Sequence, residues 1–476
     1  MSPKILYHLI LSLLFLALPI NSEDKLRWSF ELFLHGASSP NFLSEENIDL
    51  FNHQWIGKNE LTGVGLRQSF LVGYRDRLRY IEEKQLITSE YDPRDILVLS
   101  IESNRTIMSS YANIHGLFIP GTGPTIDPSL VDRAVPPVDE SSYINEKDQL
   151  DQDDYTALPG KMNIIPIHLS FPYEHFTNYE NGEKCVGVQK YEKNNKEKQD
   201  VKDFLKKLTE KYGKKLVKFF PDKNENMLTD YDFSLKLFDN IICLYMDGSD
   251  EFQNITSTLE TSSDELLKDC YDFMNYDLIG NDTNKNEEFL PYLVSPLFNK
   301  LIEWMDYKIK KDNSGGENYH GYDLPKYVIL SSDKATLNTF ISFMSLVFNT
   351  EIKYPYYATN LHVELFKEEN GNYRFEYYYN DELLLSISYD DFKQKVNKFL
   401  KSGNEIDSFC QFSQNIEEED DSGWYLAGII IAAVICVGLI IGIILMISKR
   451  NKLLSLGDAK LEPIKSGDDN RESNEI

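Results

Sequence analysis

The segment SFELFLHGASSPNF, from Ser29 to Phe42, places the strongest constraint on the fold of this chain. Its apolar run Phe30–Leu34 is typical of a buried β-strand, and the run ends at His35, before a small polar loop closed by Pro40. In α/β sheets, ligands bind at the carboxyl ends of strands, which is where this histidine stands. His35 is therefore a candidate functional residue. The alternative interpretation is a histidine that only caps a strand end.

The composition favours a folded ectodomain. Of the 476 residues, 42% are apolar and 13% are aromatic, which is enough for one large core or two smaller ones. The net charge of -27 argues against nucleic acid or an anionic membrane surface as the main partner. We therefore expect no nucleic-acid partner.

Both ends of the chain carry segments typical of membrane proteins of the secretory route. Residues 1–22 contain Lys4, then an apolar run and small polar residues, which predicts a signal peptide that is removed from the mature chain. The unbroken apolar stretch Trp424–Ile447 has about the 20 residues that a membrane span needs. We interpret it as a transmembrane helix, which makes the lipid bilayer a partner.

The charges beside this stretch predict its orientation. Residues 412–423 form an acidic stalk, whereas Lys449 and Arg450 follow the span. The positive-inside rule then places residues 23–411 in the lumen or outside the cell and leaves 448–476 as a cytosolic tail. The expected protein is a single-pass type I membrane protein of the lysosome, the endosome or the cell surface.

Small residues within the predicted span form a candidate seam for a homodimer. They fall within about a third of the helix circumference at 3.6 residues per turn. They are Gly428, Ala432, Gly438 and Gly442. The alternative is a plain membrane anchor.

Hydrophobic periodicity predicts strands that alternate with helices. The segment Leu61–Tyr80 is typical of a helix with Thr62 as its cap. Residues 171–320 have a largely helical pattern, which we interpret as an insertion over the sheet. The other predicted strands are Asp95–Ile101, Met162–Leu169, Lys326–Ser331, Leu361–Phe366, Tyr373–Tyr379 and Leu383–Ile387, and the other helices include Glu102–Gly116 and Asp333–Phe348.

Four cysteines lie outside the predicted span, and an oxidising lumen leaves three pairings open. They are Cys185, Cys243, Cys270 and Cys410. Asn104, Asn254 and Asn281 open glycosylation sequons. We expect glycosylation at Asn254 and Asn281, since Asn104 stands close to the predicted core.

The segment around His35 resembles the signature of the histidine acid phosphatases, arginine-histidine-glycine-any-arginine-any-proline. It reads Leu34, His35, Gly36, Ala37, Ser38, Ser39 and Pro40, so both arginines are absent. The helix Leu61–Tyr80 is similar to a second block of that family, and the resemblance extends from Trp28 to Cys410. It implies an α/β histidine-phosphatase fold with a Rossmann-like sheet core flanked by helices and a helical cap at about 171–320, to which the sequence adds one C-terminal transmembrane helix.

The resemblance also implies roles for individual residues. A neutral histidine, here His35, would attack phosphorus, and Asp333 would protonate the leaving oxygen. The four positions that hold the phosphate in the family carry no cation in this chain: Leu34, Ser38, Leu99 and Ser332. The resemblance further implies a disulfide between Cys185 and Cys410, which leaves Cys243 to pair with Cys270.

We call these four phosphate-holding positions the phosphate clamp. Its loss predicts weak catalysis. Removing one preorganised donor costs about 10²- to 10³-fold in rate, and losing three arginines should cost well over ~10⁴-fold. Fewer cations near His35 should also leave its imidazole more protonated in an acidic lumen than that of a family member. Lys334 is the first candidate for a compensating cation, followed by Arg27 and Arg105.

No pattern in the sequence indicates a cofactor or a metal. The remaining histidines lack metal-ligand spacing and are interpreted as structural or surface residues: His53, His115, His168, His175, His320 and His362. Three hypotheses therefore compete. The chain is a membrane-anchored binding protein with lost or strongly reduced phosphatase activity, an active acid phosphatase that hydrolyses phosphate monoesters, or a protein that binds or hydrolyses a less charged small ligand.

Overall fold

The computed structural model describes residues 24–134, 155–169, 185–279, 289–314, 324–353 and 355–410, together with residue 446. The predicted signal peptide, stalk and tail, the predicted span apart from residue 446, and the sequon at Asn281 lie outside these residues. Within the described ranges, no helix combines the length and the apolar character that crossing a membrane requires.

The core of the fold is a mixed seven-stranded sheet in the order β3-β2-β4-β1-β5-β6-β7. Its strands are β1 (Lys25–Leu34), β2 (Ile96–Ser100), β3 (Ile167–Leu169), β4 (Tyr327–Ser332), β5 (Asn360–Lys367), β6 (Tyr373–Tyr379) and β7 (Glu382–Ser388). Strands β1 to β4 run parallel to their neighbours, and β5 begins an antiparallel section on the other side of β1. The parallel strands therefore end at one edge of the sheet.

Helices cover both faces of this sheet. They are α1 (Gly63–Asp76), which continues as a π-helical segment (Arg77–Glu83), α2 (Asn104–Leu117), α3 (Val131–Ala134), α4 (Val186–Lys196), α5 (Gln199–Leu216), α6 (Tyr231–Asp247), α7 (Asp250–Leu259), α8 (Ser263–Ile279), α9 (Leu290–Asn313), α10 (Lys334–Phe348), α11 (Tyr389–Val396) and α12 (Gly403–Cys410). Short 3₁₀ segments lie at Pro128–Leu130, Pro159–Lys161 and Met227–Thr229.

Strand β1 separates two apolar clusters, because successive side chains of a strand point to opposite faces. Phe30, Leu32 and Leu34 belong to the cluster that includes side chains of α9 and α10. Phe33 belongs to the other cluster, with Tyr80 and residues of α2. Because of this alternation, neighbouring residues of β1 face different apolar clusters.

Local signals in the sequence explain how α1 begins and how it packs. The Thr62 hydroxyl accepts a hydrogen bond from the Gly65 amide at 3.1 Å, which confirms the predicted cap. Further along, α1 and α2 approach so closely that a Cβ at Gly73 would come within 1.8 Å of the Asn113 carbonyl oxygen. Glycine is therefore required at this crossing.

Between β3 and β4, the described residues form helices, several of which share their own apolar cluster with Leu237 and Phe238 at its centre. This helical region contacts the loop after β1. The Asp239 carboxylate accepts a hydrogen bond from the Asn41 amide at 2.8 Å, and the Asn240 side chain accepts one from the Leu50 amide at 3.1 Å. The helices thus lie beside the sheet edge that carries His35.

The cysteines agree with the sequence prediction only in part. The disulfide between Cys185 and Cys410 is present and joins residues 225 positions apart. The predicted bridge between Cys243 and Cys270 is wrong, since both are free and buried within the apolar cluster of the helical region. Asn254 lies exposed on α7, and its glycosylation remains a prediction.

Candidate active site

The backbone brings His35 and Asp333 to the same edge of the sheet. Leu34 pairs with Ser332 in the parallel register of β1 and β4, so the next residues, His35 and Asp333, leave neighbouring strands side by side. The His35 amide donates a hydrogen bond to the Ser332 carbonyl oxygen at 3.2 Å. Both side chains are buried, each only 4% exposed. The two residues predicted to carry the chemistry are thus together.

Hydrogen bonding orients the His35 ring for attack through Nε2. The ring atom Nδ1 lies 2.7 Å from the carbonyl oxygen of Gly36. A carbonyl oxygen can only accept, so Nδ1 carries the proton and the lone pair resides on Nε2. The ring of Tyr357, which sequence analysis did not single out, lies 5.7 Å away in a tilted arrangement.

Burial is the main reason why the pKa of His35 is well below its usual value. The positive charges of Arg105 and Lys334 lower this pKa further, while the hydrogen bond to Gly36 opposes the shift. That the His35 imidazole is more protonated than that of a family member stays a prediction, and burial acts against protonation here. Burial therefore favours the neutral imidazole at His35.

Asp333 caps α10, the helix that follows β4. Its carboxylate accepts a hydrogen bond from the Thr336 amide at 2.8 Å, which satisfies one donor of the first helical turn. This contact fixes the carboxyl group at the end of β4. The position is consistent with the role that the family resemblance implies.

Two of the four clamp positions belong to the apolar core. Leu34 and Leu99 are 2% and 6% exposed and lie in the cluster that α9 and α10 cover. Leu99 is the partner of Leu330 across β2 and β4. Neither side chain can offer a hydrogen bond to a phosphate oxygen.

The other two clamp positions are small and buried. Ser38 is 2% exposed and forms an isolated β-bridge with Leu61. Ser332 is fully buried, and its hydroxyl lies 3.5 Å from the carbonyl oxygens of Phe33 and Asp333. A hydroxyl in either place supplies no positive charge.

The three candidate compensating cations have different surroundings. Arg105 donates from Nη1 to the side-chain oxygens of Asn41 at 2.9 Å and Asn59 at 3.0 Å. The Lys334 ammonium lies 5.2 Å from the centre of the Tyr271 ring, on α8 of the helical region.

Arg27 is occupied by an ion pair with Asp312 and takes no part in the site. Arg105 and Lys334 both act on His35 through space, as its lowered pKa shows. Lys334 is partly exposed, and the Tyr271 ring that it contacts belongs to the helical region.

A close approach of backbones holds the loop after His35 against α1. A Cβ on Gly36 would lie 2.2 Å from the Gly65 carbonyl oxygen, and a Cβ on Gly65 would lie 2.1 Å from the Ala37 carbonyl oxygen. The side-chain oxygen of Gln68 accepts a further hydrogen bond from the Ala37 amide at 2.9 Å. The position of the nucleophile therefore depends on these two glycines.

The curated relatives match limited segments of this chain. The lysosomal acid phosphatase of Xenopus laevis is 32% identical over 129 residues, which is 27% of this chain and 29% of that protein. The putative acid phosphatase 11 of Caenorhabditis elegans is 28% identical over 155 residues, or 32% of each protein. The matched segments span about a third of these relatives.

Similarity over a longer range comes from the fold and from a family model. The solved phytase of Citrobacter braakii covers 79% of this chain and 98% of its own, with a TM-score of 0.51 at 12% identity, which supports the fold alone. The model of the histidine phosphatase superfamily (branch 2) matches residues 21–380. Because this match spans most of the sequence, the chain belongs to branch 2 of the histidine phosphatase superfamily.

Proposed function

We propose that this protein is a membrane-anchored histidine phosphatase relative whose phosphomonoesterase activity is lost or strongly reduced. Its ectodomain binds a small ligand on the lumenal or extracellular side. The observation that carries the proposal is the placement of Leu34 and Leu99 in the buried apolar core. These are two of the positions at which the family resemblance implies phosphate-binding arginines.

The contribution to catalysis that this chain lacks, in our proposal, is phosphate binding. A dianionic phosphate ester entering a buried site needs fixed positive donors, and arginine provides them as a planar fork. The chain keeps His35 and Asp333, the residues to which the family resemblance assigns attack and proton donation, on neighbouring strands. Turnover would therefore fail because the ester is not held in line with Nε2.

The loss of charged groups favours a ligand with less negative charge than a phosphate monoester. Leu34, Leu99 and the Tyr357 ring give the neighbourhood of His35 an apolar character. Hydroxyl groups of Ser38 and Ser332 supply the polar atoms at the other clamp positions. A rise in melting temperature on adding a neutral small molecule, with none on adding inorganic phosphate, would support this part of the proposal, and the reverse would contradict it.

The anchoring part of the proposal is supported by the apolar stretch Trp424–Ile447 and by the charges on its two sides. With residues 1–22 as a cleaved signal peptide, the ectodomain would enter the lumen and stay attached through one span. Protease treatment of intact and detergent-opened vesicles that contain the full chain tests this topology. The ectodomain should resist protease in intact vesicles and be cleaved once detergent opens them. Its cleavage in intact vesicles would contradict the topology.

The activity test compares wild-type full-length protein with three variants on an aryl phosphate between pH 4 and 6. His35→Ala is the catalytic blank, and His53→Ala is the matched histidine control. The third variant, Ser38→Arg with Ser332→His, restores two polar clamp positions and leaves the leucine core intact.

We expect wild-type turnover at least ~10⁴-fold below ordinary enzyme values and close to the blank. The restored variant should gain activity that disappears again when His35→Ala is added. Ordinary wild-type turnover that vanishes in His35→Ala, and not in His53→Ala, would overturn the proposal.

An active acid phosphatase is the second candidate function. The observation in its favour is the pair of cations, Arg105 and Lys334, which lowers the pKa of His35. If these groups replace the clamp, a phosphohistidine at His35 can be trapped by rapid acid quenching. Arg105→Met and Lys334→Met would then each abolish the trapped intermediate.

A further inference from the structure

A second group of ligand-type side chains lies between the sheet and α1. It consists of Glu31 on β1, Asp76 at the end of α1 and His362 on β5, and we call it the Glu31 cluster. Each residue offers one ligating atom, and these atoms lie within 4.8 Å of one another. Glu31 and His362 are fully buried and Asp76 is 1% exposed. Glu31 and His362 are direct partners across β1 and β5.

The two carboxyl groups of the cluster lie against each other. Among the described residues, neither oxygen of Asp76 receives a hydrogen bond from a donor. Asp76 instead contacts Glu31, and two carboxylates can bond to each other only through a proton or a cation. A buried pair of negative charges is costly unless it is neutralised.

The neighbouring arginines have carboxylate partners elsewhere. Arg79 donates to Glu364 at 2.7 Å, and Arg75 forms an ion pair with Asp381 at 3.2 Å. Arg75 reaches the region of the cluster through Asn360, whose side-chain oxygen accepts from it at 2.6 Å. These contacts leave the two buried carboxyl groups to be neutralised by a shared proton or by a cation.

Surrounding hydrogen bonds orient the three side chains. The Tyr327 hydroxyl donates to Glu31 Oε2 at 2.6 Å. The Tyr80 hydroxyl donates its proton to Glu364 at 2.7 Å. It can therefore only accept in its contact with His362 Nδ1 at 2.9 Å, so Nδ1 carries the ring proton. The lone pair of His362 is then on Nε2, which lies 3.5 Å from Asp76 Oδ1.

We propose that Glu31, Asp76 and His362 form a buried site for one divalent transition-metal ion, for which Zn²⁺ is the best match. Two carboxylates and one imidazole nitrogen are a donor set that such ions accept. Bonds of about 2.0–2.1 Å in a tetrahedral arrangement place neighbouring ligand atoms about 3.4 Å apart, close to the separation of Nε2 and Oδ1. The charge of the ion cancels that of the two carboxylates.

The hydrogen bonds around the cluster have the form of an outer ligand shell. A ligating histidine usually donates its other ring N–H to a neighbouring acceptor, as His362 does to Tyr80. One contact must change on binding. Asn360 Nδ2 donates to His362 Nε2 at 2.8 Å, so this amide has to turn away when the ion takes the lone pair.

The expected role of the ion is structural. It would tie β1, α1 and β5 together on the opposite side of β1 from Leu34. The proposal does not depend on phosphatase activity, and its test uses metal content and stability alone.

The experiment uses the full-length protein, stripped with a chelator and then exposed to Zn²⁺. Elemental analysis after removal of free metal should find about one ion per chain, and the melting temperature should rise. Asp76→Asn and His362→Gln should each weaken binding by ~10²-fold and lose the rise in melting temperature. Glu31→Gln provides a third variant if either of these fails to fold.

A second histidine with acidic neighbours provides a matched control. His53 lies 3.2 Å from Asp247 and 3.6 Å from Glu251, and it is more exposed than the Glu31 cluster. His53→Ala should keep both the bound ion and the rise in melting temperature. Wild-type protein that retains less than about 0.1 ion per chain overturns the proposal. Binding that survives in Asp76→Asn and His362→Gln, or is lost in His53→Ala, also overturns it.

Discussion

The backbone amide of His35 donates to the carbonyl oxygen of Ser332, and this bond sets the nucleophile beside the acid that follows Ser332. His35 and Asp333 are positioned by strand pairing between β1 and β4, which uses backbone atoms, including those of Leu34 and Ser332 at two of the clamp positions. A chain can therefore lose the clamp and still keep the geometry of the reacting pair. The placement of His35 and Asp333 therefore does not depend on which side chains stand at positions 34 and 332.

Protonation of His35 should couple stability to pH. The imidazole is neutral in the folded protein because its pKa is lowered, whereas the unfolded chain binds a proton below about pH 6.5. The unfolded state then binds more protons, so stability falls as pH falls from about 6.5 toward the folded-state pKa.

Urea unfolding between pH 7 and 5 measures this effect. Relative to His35→Asn, the wild type should lose up to about 1.4 kcal/mol of unfolding free energy per pH unit below pH 6.5. His35→Gln serves as a second neutral replacement and should behave like His35→Asn. Parallel curves for all three proteins would contradict the depressed pKa.

The contact between Gly65 and the loop after His35 predicts a large effect of one methyl group. Gly65→Ala places a Cβ 2.1 Å from the Ala37 carbonyl oxygen, so the loop or the helix must move. We expect a loss of about 1–3 kcal/mol in unfolding free energy. Gly63→Ala, two residues earlier in the same helix, has nothing within 4 Å and should be neutral or slightly stabilising. Equal denaturation midpoints for the two variants would refute the contact.

The disulfide between Cys185 and Cys410 should carry a large share of the stability of the folded domain. It joins residues 225 positions apart, and its removal in Cys185→Ser with Cys410→Ser should cost about 2–5 kcal/mol. Alkylation of the unfolded, unreduced chain followed by peptide mapping checks the pairing. Cys243 and Cys270 should be alkylated, and Cys185 and Cys410 should be protected. Protection of Cys243 and Cys270 would instead show that the bridge predicted from sequence forms.

The buried ion pair of Arg79 and Glu364 should be sensitive to removal of one partner. The Glu364 side chain is fully buried and that of Arg79 is 16% exposed, and Arg79 also lies 4.4 Å from the centre of the Tyr378 ring. Arg79→Gln leaves a buried carboxylate without its cation and should cost about 3–5 kcal/mol. The exposed pair of Arg94 and Asp92 is the control, since solvent screens it and Arg94→Gln should change the unfolding free energy little. Similar losses of unfolding free energy in both variants would argue against a special role for burial.

Local patterns in the sequence were sufficient to predict the elements that carry the site. The strand before His35, the cap at Thr62 and the helix after Asp333 all follow from local periodicity and are confirmed. Strand β1 nevertheless begins earlier than its apolar run, at Lys25, because its first residues pair with the distant β5. Tertiary pairing extends an element beyond its local pattern.

The features that the sequence did not predict are those that depend on distant contacts. The low pKa of His35 requires knowledge of burial, which no local motif provides. The Glu31 cluster assembles three residues from a strand, a helix and a second strand, so no spacing rule could bring them together. The pairing of Cys243 with Cys270 failed because it rested on elimination and not on a distance.

The two-sided pairing of β1 makes the length of this strand intolerant of change. Deleting one residue between Lys25 and Leu34 would shift the remaining side chains to the opposite faces. Glu31 would then face the apolar cluster that α9 and α10 cover, and Leu32 would face the side of the sheet on which Asp76 and His362 lie. Insertions and deletions in homologous chains should therefore avoid this strand altogether and accumulate in loops.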